Sequence, residues 1–493
     1  MHMRTLLGII SLLLFLLSFP SALESYGLRR LQEKGGYLTQ EEHWFHQTLD
    51  HFSPTCHSRF KQRFYEFLDY YQAPNGPIFL IIGGESELDG IYHGYVSVLA
   101  KKFGAALVSL EHRYYGKSSP FKTLSTENLR FLSSKQALFD LAVFHKYYQE
   151  HLNGKYNMTE YESPWFVIGS SYAGALSAWF HLKFPHLTCG SLASSASILA
   201  SYNFIEYDQQ VGESAGAECK AVLQEITTLV DRKLEEEGQQ VKNLFGAAKI
   251  SNNVDFLYLL ADAAAAAIQY GFPDDLCSPL VDANTNGKDL LVHLYLLLLI
   301  HQDYLNAILY ATYVKDYYLT RYSSIELYDR QHFRNTTPGE ISAARLWSFQ
   351  ICTEFGNFQV APKSDAIRSP KIDLGYHLDL CKDIFGEGIS PNPNMTNIYY
   401  GGTNIAGSKI IFTNGSQDPW RHASKQTSTK DAPSYLIKCH NCAHGVDIIG
   451  CPKSASKIKG GLEQCTTAVQ QVRQHITDHI GSWLSQCSVT MNP

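Results

Sequence analysis

The chain has 493 residues, 45% hydrophobic, 13% aromatic and only 18% charged, against about 25% charged in an average domain. That balance supplies one or two large cores and excludes a disordered chain. Lys and Arg total 41 against 47 Asp and Glu, giving −6 with no basic block, so the footprint of a nucleic-acid binder or an anionic-membrane binder is missing.

Arg4 precedes the apolar run Leu6 to Phe19, and Pro20, Ser21 and Ala22 follow. This order of charge, apolar stretch and small residues predicts a secretory signal peptide, residues 1–23, in a run too short to span a bilayer comfortably. A second apolar run, Leu290 to Ile300, is broken by His293 and reads as a buried helix. No membrane contact is therefore expected once the signal is removed. The secretory route permits disulfides, so ten of the eleven cysteines can pair and one thiol is left over. Sequons begin at Asn157, Asn335, Asn394 and Asn414, as in a secreted or vacuolar glycoprotein.

From about residue 76, short apolar runs alternate with helical patterns, the signature of a mostly parallel sheet in an α/β fold. The predicted strands are Pro77 to Ile82, Ala105 to Leu110, Trp165 to Ile168, Lys409 to Thr413 and Ser434 to Lys438. Helical spacing marks Ser134 to Leu152 and, at the end, Cys465 to Leu484. Between them, long helical patterns dominate: Cys219 to Phe245, Val254 to Tyr270 and Asp289 to Val314. The domain reading is a discontinuous core, residues 40–201 and 400–487, with a helical insertion at 202–399.

Strand Trp165 to Ile168 runs into Gly169-Ser170-Ser171-Tyr172-Ala173-Gly174 and then a helical pattern. Strand, sharp small-residue turn and helix form the context of a nucleophile elbow, which lifts a serine Oγ clear of the sheet. Ser171 is the better nucleophile, because choosing Ser170 would put Tyr172 in the crowded second position. A serine needs a base and an orienting carboxylate. Asp418 follows strand Lys409 to Thr413, and His444 follows strand Ser434 to Lys438, so all three stand at strand ends on one edge. His440 is the alternative base. Cys439, His440, Cys442 and His444 match no standard zinc spacing, and neither a metal nor a cofactor is expected.

Several of these segments together resemble the serine peptidase family that includes lysosomal prolyl carboxypeptidase, dipeptidyl peptidase II and thymus-specific serine protease. The likeness runs from Gln47-Thr48-Leu49-Asp50-His51-Phe52 through Glu111-His112-Arg113-Tyr114-Tyr115-Gly116, the elbow, Trp347-Ser348-Phe349-Gln350 and Cys352-Thr353-Glu354-Phe355-Gly356 to the Asp418 and His444 segments. The elbow and the Cys-Thr-Glu-Phe-Gly string look nearest to the thymus-specific branch. The resemblance implies an α/β-hydrolase core with a large inserted helical cap domain, which limits access to chain ends. It also implies a serine exopeptidase that cleaves peptides after proline or small residues through Ser171, Asp418 and His444. Relatives act at either chain end, and the sequence leaves that direction open.

The oxyanion is expected to meet the backbone N–H of Tyr172 and that of Gly84 in the turn Gly83-Gly84-Glu85. Trp347 and Trp420 are candidate walls for a proline ring, and Glu354 is a candidate partner for a substrate amine. Asn157, Asn335 and Asn394 are expected to carry glycans, whereas Asn414, four residues before Asp418, is not. Peptides are the expected partners, with a homodimer entertained, in the extracellular or vacuolar/lysosomal lumen. A lipase or esterase on the same fold and a catalytically inactive binding protein are the competing readings.

Overall fold

The computed structural model describes residues 36–158, 162–294, 302–339, 342–452 and 460–491. The signal segment, residues 1–23, and the second half of the Leu290 to Ile300 run lie outside them. The main sheet has eight strands: β1 His43–Thr48, β2 Arg59–Phe67, β3 Ile78–Ile82, β4 Ala106–Leu110, β5 Trp165–Ser170, β6 Gly190–Ser194, β7 Ile410–Gly415 and β8 Ser434–Ile437. Their order across the sheet is β8-β7-β6-β5-β3-β4-β2-β1. The pairs β1–β2 and β2–β4 are antiparallel and the rest are parallel. This order, with helices on both faces, is an α/β-hydrolase fold.

Central strands buried on both faces read as unbroken apolar runs. One face packs on α2, Ser134–Tyr156, and α3, Tyr172–Lys183, through Leu141, Phe144, Leu176 and Trp179. The other packs on α1, Tyr95–Phe103, and the C-terminal helix α12, Gly461–Met491, through Leu99, Val469, Ile476 and Ile480. Ser133 caps α2 by accepting from the N–H of Gln136, as a serine N-cap does.

Two strands at the antiparallel edge and one in the middle were not expected from the sequence. β1 and β2 precede the region where the strand signal begins. β6 reads Gly-Ser-Leu-Ala-Ser and lacks the branched and aromatic residues that mark strands. Packing explains its composition, since a Cβ on Gly190 would come within 2.6 Å of Trp483 and 2.9 Å of the Lys409 carbonyl.

Between β6 and β7 the chain is mostly helical: α4 Ile205–Ala215, α5 Ala217–Leu244, α6 Asn253–Gln269, α7 Pro273–Leu294, α8 Gln302–Thr312, α9 Ser342–Gln350, α10 Leu374–Phe385 and α11 Pro393–Tyr400. Of the helical pattern expected at Asp289 to Val314, the described residues fall in the end of α7, which starts much earlier, and in α8, and residues 295–301 lie outside them. The insertion has its own core, in which the alanines of α6 let Phe245, Phe256 and Tyr310 approach closely. Disulfides Cys219–Cys277 and Cys352–Cys381 brace it. Cys189–Cys487 ties α12 to the start of β6, and Cys56 is the one free cysteine among the described residues.

Candidate active site

Ser171 sits between β5 and α3 with φ 60° and ψ −130°. A positive φ on a non-glycine residue is strained by about 1–3 kcal/mol and persists only where its surroundings enforce it. Here they do. A Cβ on Gly169 would lie 2.0 Å from the Ala173 carbonyl oxygen, and one on Gly174 would lie 2.7 Å from that of Ser194. The Ser171 N–H donates to Ser194 O at 2.9 Å, locking the turn to β6.

His444 and Asp418 come from the loops after β8 and β7. His444 Nδ1 lies 2.9 Å from both Asp418 carboxylate oxygens, and both side chains are fully buried. The Asp418 carboxylate also accepts the Trp420 N–H at 2.9 Å. With Nδ1 donating to Asp418, His444 Nε2 is left as the free lone pair, buried and without a hydrogen-bond partner among the described residues. Ser171 and His444 line the same cavity, of about 380 Å³, with Gly84 and Glu85. Burial pulls the His444 pKa down, but Asp418, helped by Glu85 and Asp447, outweighs it and holds the pKa above its ordinary value.

The histidine loop is pinned from three sides. Asp447 accepts from Ser194 Oγ on β6 at 2.5 Å and from Thr413 Oγ1 on β7 at 2.8 Å. The His444 N–H donates to the carbonyl of Gln269, at the end of α6, at 3.0 Å. The Gln269 side-chain oxygen accepts in turn from Trp420 Nε1 and Tyr207 Oη. Disulfides Cys439–Cys442 and Cys451–Cys465 bracket the loop. The sulfurs of Cys439, Cys442 and Cys465 gather within 4.8 Å, and each is bonded in one of these bridges. Gly445, at φ 66°, donates its N–H to Ser195 Oγ, and a Cβ there would meet Ser170 Oγ at 3.0 Å. Ser170 Oγ is buried against this loop without a partner among the described residues, and the half-exposed His440 turns to Asp274 instead of Asp418.

The Glu-His-Arg-Tyr-Tyr-Gly segment holds the elbow's surroundings together. His112 Nδ1 donates to the Arg113 carbonyl, so its Nε2 accepts from Tyr172 Oη at 3.1 Å. Burial pushes the His112 pKa down to about 4, which keeps it neutral. Gln350 donates to the same hydroxyl at 2.8 Å and accepts from Tyr115 Oη at 2.7 Å. Arg113 grips Asp140 on α2 with two bonds of 2.6 Å, and Glu111 takes Arg63 at 2.6 Å. The side chain of Tyr172 is thereby fixed, and its backbone N–H opens α3 beside Ser171. Gly84 faces the same turn, since a Cβ on it would lie 3.5 Å from Ala173 Cβ.

A second cavity, of about 280 Å³, opens from Ser171 and Glu85 into the helical insertion, and Trp347 and Trp420 are among its walls. Trp347 packs on the Tyr172 ring at 5.3 Å, and Trp420 packs on Tyr207 at 5.3 Å. Glu354 lines neither cavity. Its carboxylate accepts the Ser134 N–H and hydroxyl at the start of α2, where a helix N-terminus favours an anion. Its enclosure pushes its pKa up to about 7. Asn157, Asn335 and Asn394 are exposed, whereas Asn414 is buried in β7 and donates to the Lys425 carbonyl.

A match to the serine carboxypeptidase S28 family model covers residues 47–458. "Probable serine protease EDA2" of Arabidopsis thaliana is 55% identical over 92% of this chain and 90% of its own length. Human thymus-specific serine protease is 29% identical over 90% of this chain and 86% of its own. Mouse lysosomal Pro-X carboxypeptidase is 26% identical, covering 82% and 83%. Among solved structures, proline iminopeptidase of Mycobacterium smegmatis aligns over 89% of this chain and 98% of its own at 10% identity and a TM-score of 0.37. With the family match spanning most of the chain, and a relative of 55% identity nearly all of it, the chain belongs to the S28 family of serine peptidases.

Proposed function

We propose that the protein is a serine exopeptidase working through Ser171, His444 and Asp418. The observation that carries this reading is the buried His444, oriented at Nδ1 by Asp418 and free at Nε2, in the cavity that Ser171 also lines. His444 Nε2 takes the Ser171 proton as Oγ attacks the peptide carbonyl, and Asp418 stabilises the imidazolium. The tetrahedral oxyanion is received by the N–H groups of Tyr172 and Gly84. The imidazolium protonates the leaving amine, and water then hydrolyses the acyl-enzyme by the reverse proton path.

Helical residues 202–399 act as a cap over a core of residues 40–201 and 400–487. The second cavity, walled by Trp347 and Trp420, takes residues next to the scissile bond, with proline or a small residue before it. The five disulfides and the extracellular and lysosomal names borne by relatives support a place in the secretory lumen. Among the described residues no helix is long and apolar enough to cross a membrane.

Fluorophosphonate labelling tests the nucleophile. The wild type should be modified at Ser171 and Ser171→Ala should not, and equal labelling of the two would end the assignment. A peptide library read by mass spectrometry should show trimming at chain ends, and internal cleavage would refute the exopeptidase reading.

A further inference from the structure

The second cavity contains a carboxylate that forms no ion pair among the described residues. Asp262, on α6, lines it and receives one hydrogen bond, from Tyr328 Oη to Oδ2 at 3.1 Å, and Tyr318 braces that hydroxyl at 2.7 Å. Among the described residues no Lys, Arg or His forms an ion pair with it; Arg368, bonded to Asp208, acts on it only from farther away, and Tyr207, Tyr258 and Tyr270 stand among the neighbouring walls. A carboxylate among aromatic faces is a receptor for an ammonium group.

Glu85, the other carboxylate here without an ion pair among the described residues, stands beside Ser171 and faces His444 at the reacting end of the cavity. Arg330 gives its Nε–H to Asp255 and an Nη1–H to Asp383, so its charge is already shared by two carboxylates. Burial pushes the His377 pKa down to about 3, so it is neutral. The first cavity has no Lys or Arg among its described walls. A substrate's C-terminal carboxylate therefore finds no uncommitted Lys or Arg among the described walls of either cavity, whereas an amino terminus reaching into the insertion finds Asp262. Glu354, the carboxylate that the sequence suggested for this role, is committed to α2.

Asp262 and Ser171 share the walls of this cavity. Asp262 lies two turns before Gln269 on α6, about 10 Å along the axis, and Gln269 O holds the backbone of His444.

We infer that Asp262 anchors the α-ammonium group of the substrate, so that the enzyme releases two- to three-residue fragments from amino termini. The inference rests on the serine peptidase reading above and extends it to substrate direction. Among this chain's relatives are proteins named carboxypeptidases, and the cavity points the other way.

The test compares peptides with a free amino terminus, the same peptides N-acetylated, and N-acetylated peptides with lysine at the second position. Wild type should cleave only the first set efficiently and release two or three residues. Asp262→Asn should lose about 30-fold or more in kcat/KM on that set, so that the preference for free over acetylated amino termini collapses. Fluorophosphonate labelling of Ser171 in Asp262→Asn should match wild type, which separates loss of the anchor from loss of the nucleophile or of the fold. Absence of labelling in wild type would instead strike at the serine peptidase reading.

Equal cleavage of free and acetylated peptides, or removal of C-terminal residues, would overturn the inference. So would efficient Asp262-dependent cleavage of the acetylated lysine peptides, which would make the ligand a side-chain ammonium. The wild-type product lengths alone decide the direction if Asp262→Asn does not fold.

Discussion

Replacing Asp418 by asparagine is the sharpest probe of how His444 is set up. The side chain keeps its shape, and Oδ1 can still accept the Trp420 N–H that it holds at 2.9 Å. The other oxygen becomes an NH₂ group, which donates to His444 Nδ1 instead of accepting from it. The ring proton must then move to Nε2, the nitrogen free to serve Ser171, and the base is lost. Because both partners are fully buried, no water can restore the tautomer. The expected fall in kcat is about 10³- to 10⁴-fold, equivalent to about 4–5.5 kcal/mol of barrier.

A pH signature accompanies it. His444 accepts a proton only when neutral, so activity falls as pH drops through its pKa. Burial lowers that pKa and Asp418 more than compensates, placing the acid limb of kcat/KM above the ordinary value of about 6.5. In Asp418→Asn the largest raising influence is gone, and burial acts against only the weaker pull of Glu85 and Asp447, so the limb of the residual activity should move to lower pH. Peptide hydrolysis between about pH 5 and 9, normalised to circular dichroism of the folded protein, measures both effects. A variant within tenfold of wild type, with an unmoved acid limb, would refute the reasoning.

Glu354 gives a prediction about stability. Its folded pKa of about 7 is above its ordinary 4.5, so stability is fully present below about pH 4.5 and declines as pH rises through 7. A shift of that size corresponds to about 3 kcal/mol. Glu354→Gln should flatten the decline in urea midpoint between pH 5 and 8, and an unchanged slope would show that Ser134 and the α2 N-terminus compensate the charge fully. Glycopeptide mapping is expected to find sugar on Asn157, Asn335 and Asn394 and none on Asn414, whose side chain is buried in β7. A glycan on Asn414 in active enzyme would mean that the β7 edge is not packed as described.

The residues brought together at the site were legible because each is announced by local chemistry. A strand, a small-residue turn and a helix mark Ser171, and single polar residues just past apolar strands mark Asp418 and His444. What the sequence did not disclose depends on distant partners. Glu354 sits in a motif that reads as functional, and only the fold shows that it is committed to Ser134, more than two hundred residues earlier. Gln269 and Asp447 carry no motif, yet they clamp the histidine loop from the insertion and from two neighbouring strands. Asp262 lies in an alanine-rich stretch that reads as helix core, and its importance arises from the lack of an ion pair to it among the described residues. β6 was hidden for a related reason, since its small residues are dictated by Trp483 from the far end of the chain.

The sheet's composition from both chain ends has a consequence for synthesis. β6 ends at Ser194 and its partner β7 begins at Ile410, so at about 5–20 residues per second a ribosome needs about 10–40 s to supply the strand that pairs with it. Through that interval the nascent chain has a sheet with an unpaired parallel edge and an elbow without its histidine. The short, weakly hydrophobic Gly-Ser-Leu-Ala-Ser edge is a poor template for aggregation. The sequence of β6 thus suits both its packed place in the finished enzyme and the long wait before that place exists, and proteolytic activity cannot arise until nearly the whole polypeptide has been made.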